Sequence, residues 1–256
     1  MMHHHPILEG RRALVVGVAN EHSIAYGCAL AFRRLGADLT LTYLNDKARP
    51  HVEPLARDLG AELLPLDVTS DAQMDDVFAA LALHGRLDIV VHSIAWAPKD
   101  ALQGRLLDCP LDGFLSTMDI SCHSFLRMAR RAVPLMTAGG TLFAMSYHGA
   151  QKVVPNYDVM GPVKAALEAS CRYLAHELGP RGIRVHAISP GPLRTRAASG
   201  LKDFDLLLRD AVARAPLGEL VDIVDVGNTC AYLASDHAHR LTGSTVYVDG
   251  GLNIVA

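Results

Sequence analysis

The stretch ALVVGVANEHSIAYGCALAFRRLGADLTLTY, residues 13–43, decides the fold. It opens on one apolar run, ALVVGV (13–18), and closes on another, LTLTY (39–43). Both are β-branched or leucine-rich, which suits strands. Between them Ile24, Cys28, Ala31 and Leu35 recur at i, i+4, i+7 and i+11, the stripe of an amphipathic helix. Strand, helix, strand in so short a span predicts a right-handed βαβ unit with its strands parallel.

The alternation continues to the C-terminus. Further apolar runs lie at ELLPLDV (62–68), LDIVVHSI (87–94), TLFAMS (141–146), IRVHAIS (183–189) and STVYVDG (244–250). Most are continuous, as expected of strands covered on both faces. Helical stripes fall between them: Val52, Leu55, Ala56, Leu59; Met74, Val77, Phe78, Leu81; and Val163, Leu167, Cys171, Leu174, Leu178. This pattern predicts an α/β, doubly wound parallel sheet of about seven strands flanked by helices. Residues 8–256 are expected to form one domain. Residues 1–7 read as a tail whose His3–His5 run, native or an added tag, carries no fold signal.

Composition closes off several functions. Of 256 residues, 50% are hydrophobic and 20% charged, with a formal net charge of −3, so no basic surplus points to nucleic acid. No apolar run reaches the roughly 18–20 residues of a membrane span. The N-terminus lacks the apolar core of a signal peptide, so a cytoplasmic protein is expected. Five cysteines, at 28, 109, 122, 171 and 230, have neither disulfide-framework nor zinc spacing and read as reduced thiols. His237 and His239 form an HxH pair with no third ligand type nearby, and no metal site is expected.

In a sheet of this kind ligands bind beyond the carboxyl ends of the strands, near the switch point after the first. Here that corner is GVANEHSIAYG (17–27), which is not the G-x-G-x-x-G fingerprint. It still supplies the parts: Gly17 for a tight turn, Ser23 to cap the helix, and Gly27 for close approach of helix to sheet. The N–H groups and dipole of a helix start favour a pyrophosphate. Two later corners, LDV (66–68) and HSIA (92–95), offer Asp67 for an adenine amino group and small residues beside the riboses. Asp67 also reads as a helix cap, although Thr69 or Ser70 serves equally well.

The segment SYHGAQKVVPNYDVMGPVK (146–164) carries the chemistry. Tyr157 and Lys164 lie seven residues apart, nearly two helical turns, so both side chains share a face if the helix begins at Tyr157. Pro162 between them is tolerated only in or near a first turn, which places the helix start around 157–159. A phenol titrates near pH 10 and an amine at about 10.4; a cation beside the phenol is expected to lower its pKa. A bland alternative is a packed ring beside a solvated amine.

Taken together, GVANEHSIAYG, DV (67–68), HSIAWAP (92–98), residues 146–169, GIRVHAISPGPLRTRAASG (182–200) and VYVDGG (246–251) resemble the enoyl-acyl-carrier-protein reductases of bacterial fatty-acid synthesis. These are NADH-dependent members of the short-chain dehydrogenase/reductase superfamily. The resemblance spans Leu8 to Ala256 and includes the family's Y-x6-K spacing with a second tyrosine ten residues upstream, where most of the superfamily has Y-x3-K. It implies a homotetramer of Rossmann-like subunits that reduces the C2=C3 double bond of trans-2-enoyl thioesters. It makes Tyr147, Tyr157 and Lys164 catalytic, with Ala95, Tyr147 and Tyr157 against the substrate; for Tyr147 a pocket wall with no proton role is the equal alternative. It places Gly17, Ser23, Ile24, Asp67, Val68, Ser93, Ile94, Lys164, Leu193 and Thr195 around the cofactor. It implies an acyl carrier protein as partner and a substrate-binding loop and helix at about 197–213.

Three departures stand out. His148 occupies a position usually apolar in the family. Leu44, with no arginine at 44 or 45, favours NADH over NADPH; Asp46 opposes a 2′-phosphate and Lys47 attracts one. KDFDLLLRD (202–210) keeps Lys202 but puts Asp205 and Leu206 where the family often has basic residues, so weaker docking of the general carrier protein, or preference for a specialised carrier or another thioester, is expected. Trp96 reads as pocket edge or core filler. The rival readings are a short-chain carbonyl reductase and a catalytically silent nucleotide-binding regulator.

Overall fold

In a computed structural model the described residues are 6–195 and 204–255. Seven strands form one sheet: β1 (Arg12–Val16), β2 (Asp38–Tyr43), β3 (Glu62–Pro65), β4 (Ile89–His92), β5 (Gly140–Met145), β6 (Ile183–Pro190) and β7 (Thr245–Val248). Their order is β3-β2-β1-β4-β5-β6-β7 and every pairing is parallel. Each expected apolar run supplies one strand, and the order reverses beside β1, as in a Rossmann-like sheet.

Successive side chains of a strand point to opposite faces. Leu14 and Val16 of β1 therefore enter one apolar layer, and Ala13 and Val15 the other. The first layer is closed by α3 (Asp71–Leu83), α6 (Ser124–Ala132) and α7 (Met160–Leu178). The second is closed by α1 (Ile24–Arg34), α2 (Arg49–Asp58) and α9 (Ile223–Ala234). Short α4 (Lys99–Leu102) and α5 (Leu111–Met118) follow β4, and a π-turn at Asp119–His123 joins α5 to α6. Between β6 and α9 lies α8 (Phe204–Arg214). The stripes foreseen on α2 and α3 are buried at Val52, Ala56, Met74, Val77, Phe78 and Leu81. Four of the five cysteines are buried, Cys109 is half-buried, and all five are free.

Gly27 does not serve the purpose expected of it. A Cβ there would lie 2.0 Å from the Ile223 carbonyl oxygen, and one at Gly227 would lie 2.2 Å from the Gly27 carbonyl oxygen. The two glycines let α1 press against α9, not against the sheet. Since α1 begins just after the corner that follows β1, α9 fixes where that corner sits. Gly227→Ala is expected to lower stability by about 1–3 kcal/mol, the cost of overpacking a dense contact. Gly179→Ala, where a Cβ meets nothing within 4 Å, should be nearly neutral; urea denaturation of both variants checks this.

Candidate active site

Parallel pairing brings the carboxyl ends of β1, β4, β5 and β6 to one edge of the sheet. A cavity of about 340 Å³ opens there. Its wall includes Gly17, Ser23 and Ile24 after β1; Ser93, Ile94 and Ala95 after β4; Tyr147, Tyr157 and Lys164 around α7; and Leu193 and Thr195 after β6. Eleven of the thirteen site residues expected from sequence thus meet in one cavity. Asp67 and Val68, at the end of β3, lie outside its wall. The Asp67 carboxylate accepts from the Thr69 backbone N–H at 2.9 Å and the Thr69 hydroxyl at 2.7 Å, and Val68 is buried in the core. Ser70, not Asp67, caps α3 by accepting from the Gln73 N–H.

The corner after β1 is built by two small residues. Gly17 has φ +111, and a Cβ on it would lie 2.1 Å from the Ser93 carbonyl oxygen. Only glycine lets the ends of β1 and β4 close so tightly. Ser23 stands at the N-cap position of α1, but its side chain makes no cap bond. Instead its hydroxyl oxygen accepts from the N–H groups of Ala19 and Asn20, both at 3.0 Å. It ties down the loop ahead of the helix, while Ser23 and Ile24 at the helix start line the cavity. After β4 the Trp96 N–H donates to the Ser121 hydroxyl oxygen at 2.8 Å, and that hydroxyl donates to the Trp96 carbonyl at 2.9 Å. Trp96 itself lines the cavity and is 48% exposed.

Tyr157 precedes α7, contrary to the helix start drawn from sequence. It sits in a turn between Asn156 (φ 63) and Asp158 (φ 37), two residue types that tolerate left-handed backbone better than most. Helical phase therefore does not align Tyr157 with Lys164; the turn does. Pro162 falls at the third position of α7, where no backbone donor is lost. The Tyr157 ring is 9% exposed and meets the Tyr147 ring edge-on, with centroids 5.0 Å apart and planes at 64°. A Cβ on Gly149 would lie 2.4 Å from its Cδ1, so that glycine's backbone is the shelf on which the ring rests.

The electrostatics also differ from expectation. Burial pushes the Tyr157 phenol well above its usual range, and the Tyr147 phenol and Glu168 carboxylate push the same way. Desolvation thus outweighs any lowering by Lys164. Burial likewise raises Tyr147 to about 12. Both phenols therefore keep their protons at neutral pH. Lys164 is 3% exposed, and burial lowers it to about 8 against the opposing pull of Cys122, Cys171 and Glu168. Its Nζ donates to the Met145 carbonyl at 2.6 Å, bridging α7 to the end of β5. His148 is half-buried outside the cavity wall, and burial followed by the Lys152 charge holds its pKa below the ordinary value.

Sequence reasoning passed over Met145, Ser146, Met160 and the Pro190–Pro192 turn, all of which line the cavity. Ser146 and Met145 follow TLFA at the carboxyl end of a strand, a position that could have marked them. The expected substrate segment at 197–213 falls partly outside the described residues, as does Lys202; its described remainder is α8. Among the described residues no cluster of His, Cys, Asp or Glu is able to hold a metal ion.

The buried amine gives stability a pH dependence. Between its folded value of about 8 and the unfolded 10.5 the unfolded chain holds a proton that the folded chain has released. Stability gained from relieving that burial is therefore absent below the window and rises through it. Relative to Lys164→Met, the protein should gain on the order of 2 kcal/mol between about pH 7 and pH 10. Urea midpoints of both proteins across that range check it.

A model of the family described as enoyl-(acyl carrier protein) reductase matches residues 17–253. The NADH-dependent enoyl-[acyl-carrier-protein] reductase 1 of Rhizobium meliloti is 49% identical, covering 97% of this chain and 92% of that one. The Anaplasma phagocytophilum reductase, solved in complex with NAD, superposes with a TM-score of 0.94 at 46% identity, covering 98% of this chain and 96% of that one. The Bacillus cereus enoyl-acyl carrier protein reductase, solved with NADP+ and an indole naphthyridinone, gives 0.96 at 42% identity, covering 98% and 99%. On this cavity, this sheet order and these matches, the chain belongs to the enoyl-acyl-carrier-protein reductase family.

Proposed function

We propose that this chain reduces the C2=C3 double bond of trans-2-enoyl thioesters carried by acyl carrier protein, using NADH, as a step of fatty-acid elongation. The observation that carries the reading is a protonated, buried Tyr157 phenol sharing one cavity with Lys164 and the glycine corner after β1. The residues fit a dinucleotide: Gly17, Ser23 and Ile24 at the start of α1 line the cavity, and Lys164 adds a buried cation to the same wall. NADH, when bound, would supply the hydride that reaches C3, and the resulting enolate then takes up a proton at C2. Gly17, Ser23 and Ile24 would border the pyrophosphate, Ser93, Ile94, Leu193 and Thr195 the nicotinamide half, and Lys164 the ribose hydroxyls. Asp67 and Val68 would border the adenine from outside the main cavity.

Negative charge gathers on the thioester oxygen as the double bond is reduced. The Tyr157 O–H donates to that oxygen and binds it more tightly as it becomes an enolate, which is what lowers a barrier. Its high pKa keeps the proton on the phenol, so the tyrosine stabilises the oxygen by hydrogen bonding. Tyr147 and Ala95 bound the acyl chain, and Trp96 closes one side. NADH is preferred to NADPH because Leu44 follows β2 where a cation would meet a 2′-phosphate. Arg49 is engaged elsewhere, over the Tyr43 ring at 5.8 Å and paired with Glu53 at 3.1 Å.

The working unit in this reading is a cytoplasmic homotetramer in which residues 8–256 act as one reductase domain with its substrate segment at 197–213. Among the described residues no helix is long and apolar enough to cross a membrane. Exposed Leu107, Leu111 and Leu115 around α5 and Tyr173 on α7 give an apolar surface for self-association; light scattering at the mass of one subunit would contradict it. Carrier docking is weak, because Asp205 pairs with Arg194 at 2.9 Å at the start of α8. Lys202→Glu should slow turnover on carrier-bound substrate while sparing the coenzyme A thioester.

NADH oxidation with crotonyl thioester tests the whole reading. Turnover with NADH well above that with NADPH, falling at least about a hundredfold in Tyr157→Phe while NADH still binds, is the expected result. NADH binding without oxidation would overturn it.

A further inference from the structure

Glu168 is a carboxylate 3% exposed, one helical turn beyond Lys164 on α7. A buried carboxylate is costly unless its oxygens are bonded, and here both are. One oxygen accepts from the Ser146 hydroxyl at 2.6 Å and the other from the Gln151 side-chain amide at 3.0 Å. Those two partners stand at the ends of the segment 146–151. Between them lie Tyr147, which faces the cavity, and Gly149, the shelf under the Tyr157 ring. The start of the segment is held again from either side: Lys164 donates to the Met145 carbonyl, and the Ser146 N–H donates to the Ile188 carbonyl at 2.6 Å.

We propose that Glu168 is a positioning residue: it clamps both ends of the 146–151 segment to α7, and so sets the Tyr147 ring and the surface that orients Tyr157. The inference rests on the enoyl-reductase reading for its kinetic consequence, not for its geometry. Lys164 and Glu168 then divide the work of one helix face. Lys164 fixes the end of β5, and Glu168 fixes the loop that follows it. Neither Glu168 nor Gln151 lines the cavity, so the clamp acts only through what it holds.

The side chain at 168 must accept from Ser146 and remain paired with Gln151. Glutamine does both if the Gln151 amide turns over, because one amide then faces the other. Alanine does neither. Glu168→Ala is therefore expected to lower kcat on crotonyl thioester by roughly tenfold or more while the NADH Kd stays within about twofold, since a small misplacement of catalytic groups costs rate more than binding. Glu168→Gln should recover most of the loss. Ser146→Ala should move kcat the same way and add little in the double variant, because both changes cut one interaction.

The NMR signals of isotope-labelled tyrosine, assigned with Tyr147→Phe and Tyr157→Phe, supply a readout free of turnover. Both signals should shift or broaden in Glu168→Ala and return in Glu168→Gln. If Glu168→Ala fails to fold, Ser146→Ala carries the same comparison. Unmoved tyrosine signals, or a Glu168→Gln as slow as Glu168→Ala, would overturn the clamp. A wild-type protein inactive on the enoyl thioester would instead sink the substrate reading and leave the tyrosine signals to judge Glu168.

Discussion

Parallel pairing is the constraint on which the rest depends. Because every strand runs the same way, the carboxyl ends of β1, β4, β5 and β6 open at one edge, and residues from four distant parts of the chain meet there. The price is that the corners must be tight. Gly17 meets that demand directly, since any side chain on it would strike the Ser93 carbonyl. The Gly27–Gly227 contact meets it one layer out, holding α1 against α9 so that Ser23 and Ile24 at its start border the cavity. The cavity is thus a consequence of sheet direction and helix spacing before any catalytic residue is considered.

Within that frame, burial governs the chemistry. A phenol and an ammonium in water would both be charged or neutral according to solution pH alone. Here desolvation drives them in opposite senses, raising Tyr157 and lowering Lys164. The result is a phenol that keeps its proton, sharing one cavity with an ammonium that donates to the Met145 carbonyl. The same low-dielectric setting makes a bare carboxylate expensive, which is why Glu168 is bonded on both oxygens and able to organise the loop around it.

The strands were legible because a doubly covered strand is largely apolar, and short β-branched or leucine-rich runs such as TLFAM and IVV recur between helical stripes. The cavity wall was largely legible too, since Tyr157, Lys164 and Ser93 sit in motifs at strand ends. What the linear pattern could not carry was orientation. Ser23 stands at a helix cap, yet turns its hydroxyl back to Ala19 and Asn20. Gly27 faces α9, a helix about two hundred residues away in sequence, so no local rule identified its partner. Tyr157 lies in a left-handed turn whose φ values depend on Asn156 and Asp158, not on the helical phase that its spacing suggests. Glu168 beside the Leu167 stripe reads as an ordinary polar residue; only the fold shows that it is buried.

The central claim is that Tyr157 keeps its proton and stabilises the thioester oxygen by hydrogen bonding. Infrared difference spectroscopy of an isotope-labelled thioester carbonyl, bound with oxidised cofactor so that no turnover occurs, measures that bond directly. The account predicts a carbonyl stretch shifted to lower frequency in the wild-type protein and back toward its solution value in Tyr157→Phe. The same frequency in both proteins would contradict it.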